Sequence, residues 1–158
     1  MKILITCGNN AKTMKLLKAF PSHFVLLADY GDVPGIITEN YAFTSLGKLN
    51  HDSIAHILLN FCITESIDTI IPLHSFEIEP IAKSAVLFSE YGIEVLLPHF
   101  ELLNQYIDAE QNKNSELYIF VKGECVFSTN KDVPQNSATG LNGVFTLDNL
   151  LNYKLFTI

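Results

Sequence analysis

The stretch Lys2–Gly8, KILITCG, decides the fold. Ile3, Leu4, Ile5 and Thr6 form a short, apolar, β-branched run without helical period, the pattern of a strand buried on both faces. Gly8-Asn9-Asn10 interrupts it, and from Ala11 the spacing changes. Met14, Leu17 and Phe20 recur every three residues, with Lys12, Lys15 and Lys18 on other faces. Asn9 or Asn10 stands where a short side-chain oxygen can accept from the free N–H groups of a helix's first turn. A strand, a glycine turn and a helix in succession open a parallel α/β sheet.

The rest of the chain continues that rhythm. Pro21 ends the first helix, and His23–Asp29 (HFVLLAD) predicts a second buried strand ending in an acid. Tyr41–Leu46 (YAFTSL) predicts a third strand. Ile54, Ile57, Leu58, Phe61 and Cys62 then fall on one side of a helix that Asn50 or Asp52 can cap. Asp68–Leu73 (DTIIPL) is the fourth expected strand, followed by His74–Glu79 (HSFEIE) as a loop. Because Glu79 precedes a proline, a helix is expected to start near Pro80, with Ile81, Ala82, Ala85 and Phe88 as its stripe and Gly92 as its end. Glu94–Pro98 is a fifth strand, and His99–Ile107 a short helix with Leu102, Leu103 and Tyr106 on one side.

The last third differs. Asp108–Ser115 is polar and is expected as a linker. Glu116–Val121 and Glu124–Ser128 are β-rich runs joined at Lys122-Gly123, most simply a hairpin. Asn130–Asn142 is expected as a loop, Val144–Phe145 as a strand, Leu147–Tyr153 as a short helix and Leu155–Ile158 as an edge strand. The fold expected is therefore α/β: a three-layer, Rossmann-like, doubly wound and mostly parallel sheet over residues 1–107. Residues 108–158 form a C-terminal extension with a small β-hairpin, packed on the same domain.

Composition limits the function. The chain has 158 residues and is 48% hydrophobic, enough for a real core. Its ten basic residues are all lysines, and its net charge is -7. Bidentate recognition of phosphate or carboxylate usually falls to arginine, and an acidic chain does not fit nucleic acid. Cys7, Cys62 and Cys125 lie far apart and outside any C-x-x-C pattern, so their spacing announces neither a zinc site nor a disulfide framework. No apolar run approaches the roughly 20 residues of a membrane helix. The run after Lys2 is too short for a signal peptide. A cytoplasmic protein with no membrane partner is expected.

Two stretches have residues suited to ligand binding. The first is the turn Gly8, Asn9 and Asn10, with Asp29 placed where a Rossmann acid would grip a ribose. Only one glycine of the three-glycine fingerprint is present. A tight turn at Gly8 and a strand-end role for Asp29 therefore outweigh a dinucleotide site. The second is His74, Ser75, Glu77 and Glu79, just past the carboxyl end of a central strand, where ligands gather in open α/β sheets. A His–Glu pair there could do acid–base work. Equally, Ser75 and the glutamates could cap the helix and complement its dipole. His23, His51, His56 and His99 have no metal-ligand spacing, and a strand cysteine such as Cys7 is usually inert.

In order, KILITCGNN, FVLLAD, DSIAHILLNFCITESID, TIIPLHSFEIEPIA and EYGIEVLLP resemble the N-terminal, pre-ATP-grasp domain of ATP-grasp ligases of the biotin carboxylase and carbamoyl phosphate synthase type. The resemblance covers Met1 to about Ile107 and is most specific from Ile67 to Pro98. Biotin carboxylase-like members have a histidine opening the loop after that strand and a glutamate further on, and His74 with Glu77 or Glu79 falls near those places. The glycines that space the loop in those members are missing here.

In that family the domain forms one wall of the substrate cleft and often part of a dimer interface. Two following lobes transfer phosphate from ATP with magnesium, and nothing in residues 108–158 matches them. The resemblance implies a stand-alone pre-ATP-grasp-like module that binds a small ligand, or assists an ATP-dependent carboxylate ligase in trans, without catalysis of its own. ATP or another nucleotide would be bound only with that partner subunit. The alternatives are a structural or interaction domain, a homodimer meeting at the edge of the 116–128 hairpin, and a small nucleotide-dependent enzyme using His74 and Glu77.

Overall fold

A computed structural model describes residues 1–107, 116–130, 141–148 and 152–158. The described chain falls into two compact units: Met1–Val95 with Ile158, and Leu96–Thr157. The segment 96–107, grouped by sequence with the first domain, belongs by compactness to the second unit.

The first unit is a five-stranded parallel sheet made of β1 (Lys2–Ile5), β2 (Phe24–Asp29), β3 (Tyr41–Ser45), β4 (Thr69–Ile71) and β5 (Glu94–Val95), in the order β3-β2-β1-β4-β5. Leu4 at the centre stands between Leu26 and Ile70, all of them buried. Such continuous apolar runs are what a parallel sheet covered on both faces requires. The helices are α1 (Ala11–Lys15), α2 (Ile54–Thr64), α3 (Ser75–Lys83) and α4 (Ala85–Glu90). The chain leaves β1 toward β2 and later returns past β1 to β4. Right-handed crossovers therefore place α1 on one face and the later helices on the other, where α2 packs beside α3. The switch in direction falls between β1 and β4, the place where open α/β sheets bind ligands.

β1 to β4 follow their apolar runs closely, whereas β5 stops at Val95 rather than Pro98; the helices differ in detail. Asn10 caps α1 as expected, its side chain accepting from Lys12 N. The buried residues of that segment are Thr13 and Leu16, whereas Met14 is exposed. Thr13 turns inward, where its hydroxyl donates to Cys7 O at 2.8 Å, and α1 continues as a 3-10 turn at Leu16–Ala19. Ser53 stands at the N-cap position of α2 without a side-chain cap bond, and Asn50 instead accepts from Asp52 N within the preceding turn.

The largest correction concerns His74–Glu79. This is not a loop before a helix at Pro80: α3 begins at Ser75 and contains Pro80. Burial of Glu77, Ile78, Ile81 and Ala82 on one face overrides the local preference of the residue before proline. α3 ends at Lys83, and α4 follows as a separate helix after Ser84.

The second unit is a four-stranded antiparallel sheet of β6 (Tyr118–Val121), β7 (Glu124–Ser128), β8 (Gly143–Leu147) and β9 (Tyr153–Leu155), in the order β7-β6-β8-β9. Lys122 (φ 50) and Gly123 (φ 85) form the expected hairpin turn with both central residues left-handed. A 3-10 helix covers Phe100–Gln105, with Leu103 its buried residue. Phe120, Phe145 and Tyr153 pack edge-to-face in the core, Phe120 and Tyr153 at 4.9 Å. The helix expected over Leu147–Tyr153 is overturned at its ends, which are strand residues of β8 and β9. The chain there pairs Leu147 with Tyr153. The expected linker 108–115 and most of the 130–142 loop lie outside the described residues.

Candidate functional site

The carboxyl edge of the parallel sheet brings together residues from the ends of three strands. Thr6 and Cys7 follow β1, Asp29 and Tyr30 close β2, and His74, Phe76 and Glu77 follow β4. The turn after β1 packs against the end of β2. Gly8 N donates to Ala28 O at 2.9 Å, and a Cβ on Gly8 would lie 2.7 Å from Leu27 C. Glycine is needed here for close approach of two backbones rather than for a left-handed turn. The left-handed residue is Cys7, at φ 58.

Asp29 is the hub on one side. Its Oδ1 lies 2.9 Å from His74 Nε2 and accepts from Tyr30 N at 2.9 Å, while its Oδ2 accepts from Asn9 N at 3.3 Å. The His74 imidazole stacks on Phe76 with ring centres 4.8 Å apart and planes 16° from parallel. Tyr30 closes another side at 5.6 Å, and His51 meets the edge of Phe76 at 5.2 Å. The side chains of Asp29 and His74 are each 15% exposed, so the pair sits at the rim, within reach of solvent.

Glu77 is the hub beneath. It is fully buried, yet both carboxyl oxygens are satisfied: Thr6 Oγ1 donates to Oε2 at 2.6 Å and the Tyr30 hydroxyl to Oε1 at 2.8 Å. Leu73 N donates in turn to Thr6 Oγ1 at 2.8 Å. Burial raises the Glu77 pKa, an effect opposed by the two hydroxyl hydrogen bonds and by His74. The Cys7 thiol is pushed up to about 12 by burial, with Asp29 and Glu77 adding to it. Burial and the neighbouring Glu77 also raise the Tyr30 phenol.

The residues singled out in the sequence divide accordingly. Gly8, Asn9, Asp29, His74 and Glu77 meet at this edge. Asn10 is adjacent, but its side-chain oxygen is committed to capping α1. Ser75 and Glu79 are exposed on α3, and Glu79 pairs with Lys83 at 3.0 Å along the helix. The helix cap is His74, not Ser75, and no side-chain bond serves it. The His–Glu pair envisaged from sequence is really His74 with Asp29. Thr6, Tyr30 and Phe76 were not selected from sequence. Thr6 and Tyr30 lie at the carboxyl ends of β1 and β2, so the rule that pointed to His74 could have found them. Cys7 Sγ, an Asp29 oxygen and a His74 ring nitrogen all lie within 4.8 Å of one another, a set that could hold a metal ion.

No family model matches the sequence, and no curated protein sequence matches it. Among solved structures, the chain is similar to the biotin carboxylase subunit of pyruvate carboxylase. The match has 18% sequence identity and a TM-score of 0.45, and covers 66% of this chain and 25% of that chain. The chain spans about a quarter of that structure's length.

Among the described residues, no helix is long and apolar enough to cross a membrane.

Proposed function

We propose that the carboxyl edge of the parallel sheet is a small-ligand site, and that the protein acts as a pre-ATP-grasp-like binding module or as an accessory to an ATP-dependent carboxylate ligase acting in trans. One observation carries this reading: polar side chains from three strand ends are held in one hydrogen-bonded network at the point where the strand order reverses. A sheet edge built only to end strands does not need a buried carboxyl satisfied by two hydroxyls, with a rim pair of histidine and aspartate above it.

In this reading His74 and Asp29 present the ligand-facing groups, and the Asn9 and Tyr30 N–H groups hold the carboxylate in place. Thr6, Tyr30 and Glu77 form the support beneath. The geometry does not favour catalysis by a His74–Glu77 pair, because Glu77 has no exposed surface and both of its oxygens are engaged.

The test is a thermal-unfolding scan with ATP–Mg, ADP, NAD and small carboxylic acids, on the wild type and on His74→Ala. A ligand at 100 times its dissociation constant adds about 2.7 kcal/mol. A shift with one class that His74→Ala removes supports the reading. No shift with any class, or a shift unchanged by His74→Ala, overturns it.

A further inference from the structure

We propose that Cys7, Asp29 and His74 bind a divalent transition-metal ion of the zinc class, leaving a fourth coordination position for water or an anionic oxygen of a ligand. The three donor atoms come from the ends of β1, β2 and β4 and lie within 4.8 Å of one another. This rests on the reading of the edge as a ligand site and names the chemistry of what binds there.

The geometry is that of ligands around a shared ion, not of a proton relay. In a Cys–His–Asp relay the thiol and the carboxylate engage opposite ring nitrogens and stand apart across the imidazole. Here a single ring nitrogen has both the sulfur and the carboxylate oxygen within 4.8 Å. Zinc bonds of about 2.0–2.3 Å at tetrahedral angles separate ligand atoms by roughly 3.3–3.7 Å. Adjustments of no more than about 1.5 Å, within the reach of side-chain torsions, would close the set on an ion.

The donor types agree with that ion. Thiolate, imidazole and carboxylate are all zinc ligands, and the soft sulfur disfavours magnesium and calcium. One thiolate and one carboxylate would also neutralise a divalent charge.

Neighbouring contacts support all three residues. Both Asp29 oxygens accept backbone N–H bonds, from Tyr30 and Asn9. The His74 ring is clamped against Phe76. Cys7 is held in its left-handed conformation by its carbonyl, which accepts from Asn10 N at 3.2 Å and Thr13 Oγ1 at 2.8 Å. Strain of that kind persists where surroundings over-determine a residue, and it clusters at functional sites.

The experiment titrates the chelator-treated full chain with Co²⁺ and then displaces it with Zn²⁺. The expected result is a single equivalent of cobalt with a thiolate-to-cobalt charge-transfer band and tetrahedral visible bands, both removed by zinc. Cys7→Ser should abolish the charge-transfer band, His74→Gln should abolish stoichiometric binding, and Cys125→Ser should change neither. Absence of the band in folded protein, or its survival in Cys7→Ser, overturns the proposal. If Cys7→Ser does not fold by circular dichroism, the rim variant His74→Gln decides: undiminished cobalt uptake overturns the site. A nucleotide or carboxylic acid that stabilises the metal-free protein, with no cobalt bound, overturns the metal while the ligand-site reading stands. Cobalt bound as expected, with no response to any small molecule, supports the metal and overturns the small-molecule reading.

Discussion

His74 Nε2 and Asp29 Oδ1 stand 2.9 Å apart although 45 residues separate them in the chain. Each comes from the end of a different parallel strand, and neither is fully buried. Asp29 also receives the N–H groups of Tyr30 and Asn9, so one carboxylate joins the turn after β1, the end of β2 and the start of α3.

Asp29→Asn should therefore weaken more than one contact, because an amide offers a single acceptor oxygen where the carboxylate offers two. The expected cost is about 2 kcal/mol, the range for hydrogen bonds to charged groups. Urea unfolding of the two proteins, compared at equal m-value, checks it.

Glu77 makes a prediction with a sign. Burial raises its pKa above the ordinary glutamate value of 4.5, so between 4.5 and the folded value the folded state holds more protons than the unfolded state. Stability should fall as pH rises from 4.5 through that window and level off above it. Glu77→Gln removes the titrating group and should flatten that slope. Glu77→Leu leaves the Thr6 and Tyr30 hydroxyls without their acceptor and should cost about 1–3 kcal/mol for each one that stays buried and unsatisfied. Urea midpoints measured across the acidic range test both.

Gly8→Ala places a methyl group 2.7 Å from Leu27 C and 2.9 Å from Ala28 N, backbone atoms that cannot turn aside. It should destabilise by about 2–3 kcal/mol, the upper range for overpacking. Gly35→Ala, with nothing within 4 Å of the added carbon, should stay within about 0.5 kcal/mol of the wild type. A thermal scan of the pair separates the close approach from a general cost of losing glycine.

At the hairpin turn Lys122 holds φ 50 without being glycine or asparagine. Lys122→Asn should stabilise by a few tenths to about 1 kcal/mol, because asparagine tolerates the left-handed region. Gly123→Ala, at φ 85, should destabilise. A higher midpoint for the alanine variant than for the asparagine variant would contradict the turn described.

Much of this fold was legible in local sequence. β1, β2 and β4 are buried on both faces, and a parallel sheet writes such strands as unbroken apolar runs. The hairpin was legible because two β-rich runs are separated by only two residues, the second of them Gly123. The start of α3 was not, since Pro80 speaks locally for a boundary while burial of Ile78 and Ile81 across the fold speaks against it. The carboxyl edge could be named in advance as a region from the strand-end rule. Its pairings could not, because Thr6, Tyr30 and Glu77 meet only through the register of three strands. Cys7, Asp29 and His74 likewise escape any spacing motif, each being supplied by a different strand end.

The central claim is that ligands meet this chain at the carboxyl edge of its parallel sheet. Amide correlation spectra of ¹⁵N-labelled protein, recorded with and without the compound that gives the largest thermal shift, test it most directly. The account predicts perturbations confined to Thr6–Asn10, Asp29–Tyr30 and His74–Glu77. Perturbations centred elsewhere, on α4 or on β7 for example, with these residues unmoved, would contradict it.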